Sequence, residues 1–198
     1  MAEHAEFDDG AAVQDRDLLQ RLTLYFDELE ERLRRGQGWF IFNASQGRSD
    51  RISNFIVQRL VERGPSVQAH IMVRRDFAIS AYVDEVGLSA LQPADGGRHV
   101  DDRAKREFEL AQKVTSTTRE QLLFSDVLVL TGLRPRARHE ATYLDRAIAE
   151  RYRRRLATIL LTPEMPNVRQ AEFASLDPSE AFWPRLFQRM YDTSLVAL

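Results

Sequence analysis

Three short runs dominated by apolar residues, Trp39-Phe40-Ile41-Phe42, Asp126 to Leu130 and Ala157 to Leu161, limit what this chain can fold into. Each is too short for a buried helix and lacks the alternation of a strand wetted on one face, so each predicts a strand covered on both faces. Between them the apolar spacing turns helical. From Asp17, residues Leu18, Leu22, Tyr25, Leu29 and Leu33 form one stripe, stopped by Gly36 and Gly38. Ile52, Phe55, Ile56 and Leu60 form a second that ends at Gly64-Pro65, and Ala141, Leu144, Ile148 and Tyr152 a third within His139 to Arg154. Val67 to Val73 and Leu195 to Leu198 read as further strands, and Asp76 to Val86, Asp101 to Phe124 and Trp183 to Tyr191 as further helices. Strands alternating with helices predict an α/β fold: a parallel sheet with helices on both faces. Residues 1–14 are acidic and without periodicity, which predicts a flexible tail ahead of one core at 15–198, and Leu88 to Val100 reads as an exposed loop.

The chain's 198 residues suit one domain with an apolar core. No apolar stretch approaches the roughly 20 residues of a membrane span, and the N-terminus is acidic rather than basic, so the expectation is a soluble, cytoplasmic protein with no membrane partner. The chain has no cysteine, which excludes disulfides, thiolate zinc sites and cysteine nucleophiles. His4, His70, His99 and His139 have no metal-ligand spacing, so no metal site is expected. A net charge of −2 argues against an overall grip on nucleic acid and leaves room for a local basic patch. The cations are almost all arginine, with Lys105 and Lys113 the only lysines.

In parallel sheets ligands sit beyond the carboxyl ends of the strands, which directs attention to the loops after Phe42, Leu130 and Leu161. The first reads Asn43-Ala44-Ser45-Gln46-Gly47-Arg48-Ser49. A loop that cradles a triphosphate needs glycines for close backbone approach, a lysine for the β- and γ-oxygens and a hydroxyl for Mg²⁺. Gly47, Arg48 and Ser49 keep that order, but Phe42 stands where the first glycine belongs and arginine replaces lysine. A planar guanidinium fits poorly inside a tight backbone cradle. A polar turn opening a helix is the other reading of this segment.

The order of these elements resembles the DnaC/IstB family of AAA+ ATPases, the bacterial helicase loaders and transposition helper ATPases. The similarity runs from about Asp17 to Leu198. Gly38 to Phe42 looks like the family's first strand before the phosphate loop, and Val67 to Phe77 like its second strand and following helix. Leu123 to Leu130 is similar to the run leading into the Walker B acids, and Arg185-Leu186-Phe187-Gln188-Arg189-Met190 to the closing Arg-h-h-x-Arg-Met element. The resemblance implies a P-loop NTPase fold of the AAA+ type, without a separate lid domain, and ATP with Mg²⁺ as cofactor. It implies a replicative helicase or another AAA+ protein as partner, with DNA nearby. It also makes Thr162 a polar sensor position, and Arg185 and Arg189 sensor or intersubunit arginines.

The chain departs from that family where hydrolysis is done. The strand that should end in acids ends in Leu130-Thr131-Gly132, which removes both the Mg²⁺-organising group and the one that polarises water. The phosphate loop is also one or two residues shorter than the family's. Asp126 lies at the wrong end of its strand, Glu140 and Asp145 read as solvated helix positions, and Glu164 reads as a turn residue after Pro163. No catalytic residue is therefore assigned, and Gly47, Arg48, Ser49 and Thr162 read as a vestigial nucleotide pocket. Arg134, Arg136 and Arg138 follow the missing acids and read either as a solvated loop or as contacts to DNA or partner phosphates. Arg151, Arg153, Arg154 and Arg155 read as a solvated helix end, and Arg185 and Arg189 as candidates for DNA or partner contact.

The expectation is a degenerate, non-hydrolysing AAA+ adaptor or regulator in DNA replication or transposition. The alternatives are a divergent but active ATP-dependent loader, and an interaction protein with no DNA role.

Overall fold

The computed structural model describes residues 9–87, 102–168, 176 and 182–198. Helices α1 (Asp9–Asp27) and α2 (Leu29–Arg34) precede strand β1 (Gly38–Ile41), helix α3 (Gln46–Glu62) and strand β2 (Ala69–Val73). Helices α4 (Arg74–Val86) and α5 (Asp102–Phe124) lead to β3 (Val127–Thr131). Helix α6 (Arg138–Arg154), β4 (Ala157–Leu161), α7 (Phe182–Thr193) and β5 (Ser194–Ala197) complete the order. All five strands are parallel, in the order β2-β3-β4-β1-β5.

Each apolar run alternates its side chains between two cores, as the two-residue period of a strand requires. Trp39, Ile41, Val127, Val129, Ile159 and Leu161 pack on one face with α1, α2 and α3. Phe40, Leu128, Leu130 and Leu160 pack on the other with α4 to α7, where Phe42 lies tilted against Phe40 with ring centroids 4.1 Å apart. Going from β1 to β2 the chain crosses the sheet in one direction over the first face. Its later crossovers run the opposite way over the second face, so all have the same hand. Gly38 is required by close approach: a Cβ there would lie 1.9 Å from the Thr158 carbonyl oxygen on β4.

Three expectations change. Helix α1 begins at Asp9, so the end of the segment read as a tail is helical, and the single helix expected up to Leu33 is two, divided at Glu28. Residues 1–8 and the expected loop at Leu88 to Val100 lie outside the described residues. The third correction is Arg151, read as part of a solvated helix end. It is 1% exposed and donates from Nε to Thr158 Oγ1 (3.0 Å), from Nη1 to the Leu122 carbonyl (3.0 Å) and from Nη2 to the Ala157 carbonyl (2.6 Å). Burial, opposed by the Asp126 carboxylate, pulls its pKa down to about 9. Arg153 and Arg154 do lie at the surface, both paired with Glu150. No helix among the described residues is long and apolar enough to cross a membrane.

Candidate functional site

Strand β1 lies between β4 and β5, and its onward connection leaves over the face opposite to the one β4 uses. The two loops therefore part between the carboxyl ends of β1 and β4, the place where open α/β sheets hold ligands. Here that crevice is laced shut. Ala44 N–H donates to the Thr162 carbonyl (3.0 Å), Asn43 N–H to the Glu164 carbonyl (3.3 Å), and Phe42 N–H to the Ala197 carbonyl on β5 (2.9 Å). A phosphate would need such N–H groups free. Helix α3 begins at Gln46, so Gly47, Arg48 and Ser49 lie in its first turn rather than in the polar loop expected there.

Arg48 fills what remains. Its Nε–H donates to Asp15 Oδ1 (2.7 Å), its Nη1 group to the Asn43 and Phe42 carbonyls (2.9 and 3.2 Å), and Nη2 to the main-chain oxygen of Leu198 (3.2 Å). The cation in the lysine position thus points back at the loop's own carbonyls. Asp15 on α1 also accepts from Arg51. Burial alone would push the Asp15 carboxyl up, but the hydrogen bonds from Arg51 and Arg48 outweigh it and hold the group below its ordinary value.

The rest of the expected pocket is equally engaged. Gly47 is exposed, and a Cβ on it would meet nothing nearer than an Arg51 guanidinium nitrogen at 3.8 Å, so no close approach demands glycine there. The buried Thr162 donates its hydroxyl to Glu164 Oε2 (3.3 Å), and Glu164 Oε1 forms an ion pair with Arg134 Nε (3.2 Å). Strand β3 ends at the buried Thr131, followed by Gly132 at φ +61°. Gly47, Arg48, Ser49 and Thr162 do gather at one sheet edge, but their arrangement does not fit the phosphates and Mg²⁺ of a nucleoside triphosphate.

Two carboxylates read as solvated turn out to be tied down. Glu140 is 7% exposed and its Oε2 accepts from the Arg136 backbone N–H (2.9 Å), which fixes the loop entering α6. Asp145 accepts from Arg189 (2.6 Å) and lies 3.6 Å from Arg185. Those two arginines join α7 to α6 within the chain.

The arginines after β3 behave differently. Arg136 and Arg138 are exposed and have no ion pair among the described residues. Register pairing of Val73 with Thr131 puts the start of α4 beside the β3–α6 loop, and Arg74 Nε donates to the Arg134 carbonyl (3.1 Å). Arg75, exposed and likewise without an ion pair among the described residues, follows Arg74 in the first turn of α4. Arg74, Arg75, Arg134, Arg136 and Arg138 form one basic rim at the carboxyl ends of β2 and β3. Sequence reading missed Arg74 and Arg75; the signal was Val73-Arg74-Arg75 at the end of a predicted strand, on the ligand-bearing edge. Tyr82, exposed on α4, sets its ring edge-on to His139 at 6.2 Å beside that rim.

No protein-family model matches the chain, and no curated protein matches its sequence.

Proposed function

We propose that this chain is an AAA+-like core, similar to DnaC/IstB helicase loaders, that acts without hydrolysing nucleotide as an adaptor or regulator in DNA replication or transposition. The observation that carries this reading is Arg48: the side chain at the position of the phosphate-binding lysine is spent on Asp15, two loop carbonyls and Leu198. The strand order, with β1 between β4 and β5 and a helix opening directly after β1, supports the AAA+-like assignment. Neither ATP nor Mg²⁺ has a role in it.

The working surface is the basic rim of Arg74, Arg75, Arg134, Arg136 and Arg138. Guanidinium groups in that density suit phosphates of DNA, or carboxylates of a replicative helicase or another AAA+ protein. Anisotropy with labelled DNA over a salt series tests it. A contact to phosphates weakens linearly in log salt, with a slope of about −0.9 for each phosphate neutralised. Binding with no salt dependence, or ATP turnover by the purified chain, overturns the proposal.

A further inference from the structure

Away from the sheet edge, helices α4, α5 and α6 enclose a groove of about 300 Å³. Its floor is Leu123, Tyr143 and Ala147, and its rim carries Arg119, Arg146 and Arg153. Those three side chains are 60%, 57% and 72% exposed. They are also held in place: Asp84 pairs with both Arg119 and Arg146, and Glu150 with Arg153. A guanidinium has five donors, and each of these engages its acid through one nitrogen, which leaves an oriented fork with N–H groups for a further carboxylate. The volume lies at the small end of the ~300–1,000 Å³ of ligand sites, enough for one large apolar side chain with carboxylates beside it.

The chain carries a segment of that composition. Phe7 is its only aromatic residue before Tyr25 and stands among Glu3, Glu6, Asp8 and Asp9. We propose that this segment of one copy docks in the groove of a second copy, with Phe7 on the floor and the acids on Arg119, Arg146 and Arg153. The same copy's groove is out of reach. Helix α1 lies on the opposite sheet face, with Asp15 at the phosphate-loop edge, whereas the groove runs toward the other end of α6. Phe7 stands two residues before α1 begins at Asp9, a reach of at most ~7 Å, while α1 packs on the sheet face opposite to α4, α5 and α6. The contact joins two different surfaces, so it is heterologous.

The experiment uses the full chain and a fluorescein-labelled peptide of residues 1–10. Sedimentation velocity is expected to show concentration-dependent self-association that Phe7→Ala abolishes. The wild-type peptide is expected to bind the chain saturably and to compete with that association. Its affinity should fall about tenfold or more with Phe7→Ala in the peptide, and likewise with Arg119→Ala plus Arg146→Ala in the chain. Should the arginine variant fail to fold, the Phe7→Ala peptide on the unaltered chain decides alone. A peptide that does not bind at millimolar concentration, binds equally well without Phe7, or leaves self-association intact overturns the proposal. None of these changes touches Arg136 or Arg138, so their outcome is independent of DNA binding.

Discussion

Arg48 donates its Nε–H to Asp15 Oδ1 at 2.7 Å, joining the first turn after β1 to the helix that precedes that strand. The same guanidinium holds the Phe42 and Asn43 carbonyls and the main chain at Leu198, so one side chain clamps three separate parts of the chain. Arg48→Ala is expected to cost about 2–4 kcal/mol, because it takes one of two arginine partners from the Asp15 carboxylate and leaves several carbonyls without their donor. Urea denaturation measures it, and Arg48→Lys should recover little, since one ammonium cannot span all the partners.

Asp15 makes part of that stability acid-sensitive. Its carboxyl titrates lower in the folded chain than in the unfolded one, where the ordinary value is ~3.9. Its contribution is therefore complete above the unfolded value and is lost as pH falls through the lower, folded one. Asp15→Asn is expected to be less stable at neutral pH and to show a shallower loss on acidification. Identical acid slopes for the two proteins would contradict the clamp.

Nothing among the described residues requires glycine at position 47. Gly47→Ala has open space and lies in a helix, so stability should stay level or rise by up to about 1 kcal/mol. Binding to the proposed DNA or protein partner should be unchanged. Gly38→Ala, with its Cβ 1.9 Å from the Thr158 carbonyl oxygen, should prevent folding. Thermal melts of the two variants make the comparison.

Placing acids at the end of β3 should not create hydrolysis. Thr131→Asp places a charge at a buried position, and Gly132→Glu puts a side chain where φ is +61°. Phosphate-release assays on the double variant should stay at the buffer level, and ATP with Mg²⁺ should leave the melting temperature of the unaltered chain unmoved.

Arg136→Glu with Arg138→Glu is expected to abolish binding to the proposed DNA or protein partner and to change the melting temperature little, since both side chains are exposed. Arg75→Glu should weaken the same binding, although it is distant in sequence. A variant in which Arg75 proves irrelevant would confine the surface to the β3–α6 loop.

Arg151→Met tests a different role for arginine. It leaves the Leu122 and Ala157 carbonyls without their buried donor, and a loss of about 1–3 kcal/mol is expected by denaturation.

Apolar periodicity alone determined the architecture. Runs such as Trp39 to Phe42 bury every residue only when both faces of a strand are covered, so they dictate a parallel α/β sheet before any contact is known. That Gly47-Arg48-Ser49 follows β1 and that Thr131-Gly132 closes β3 was legible too, because the apolar runs set where those strands end. Where each arginine points was not. Arg48, Arg136 and Arg151 are alike as letters, yet one clamps a loop, one faces solvent and one lies in the core. That depends on acceptors supplied from elsewhere in the chain: Asp15 and Leu198 for Arg48, Leu122 and Thr158 for Arg151. A guanidinium's fate is set by which carbonyls and carboxylates the fold brings within about 3 Å, and only the tertiary structure decides that.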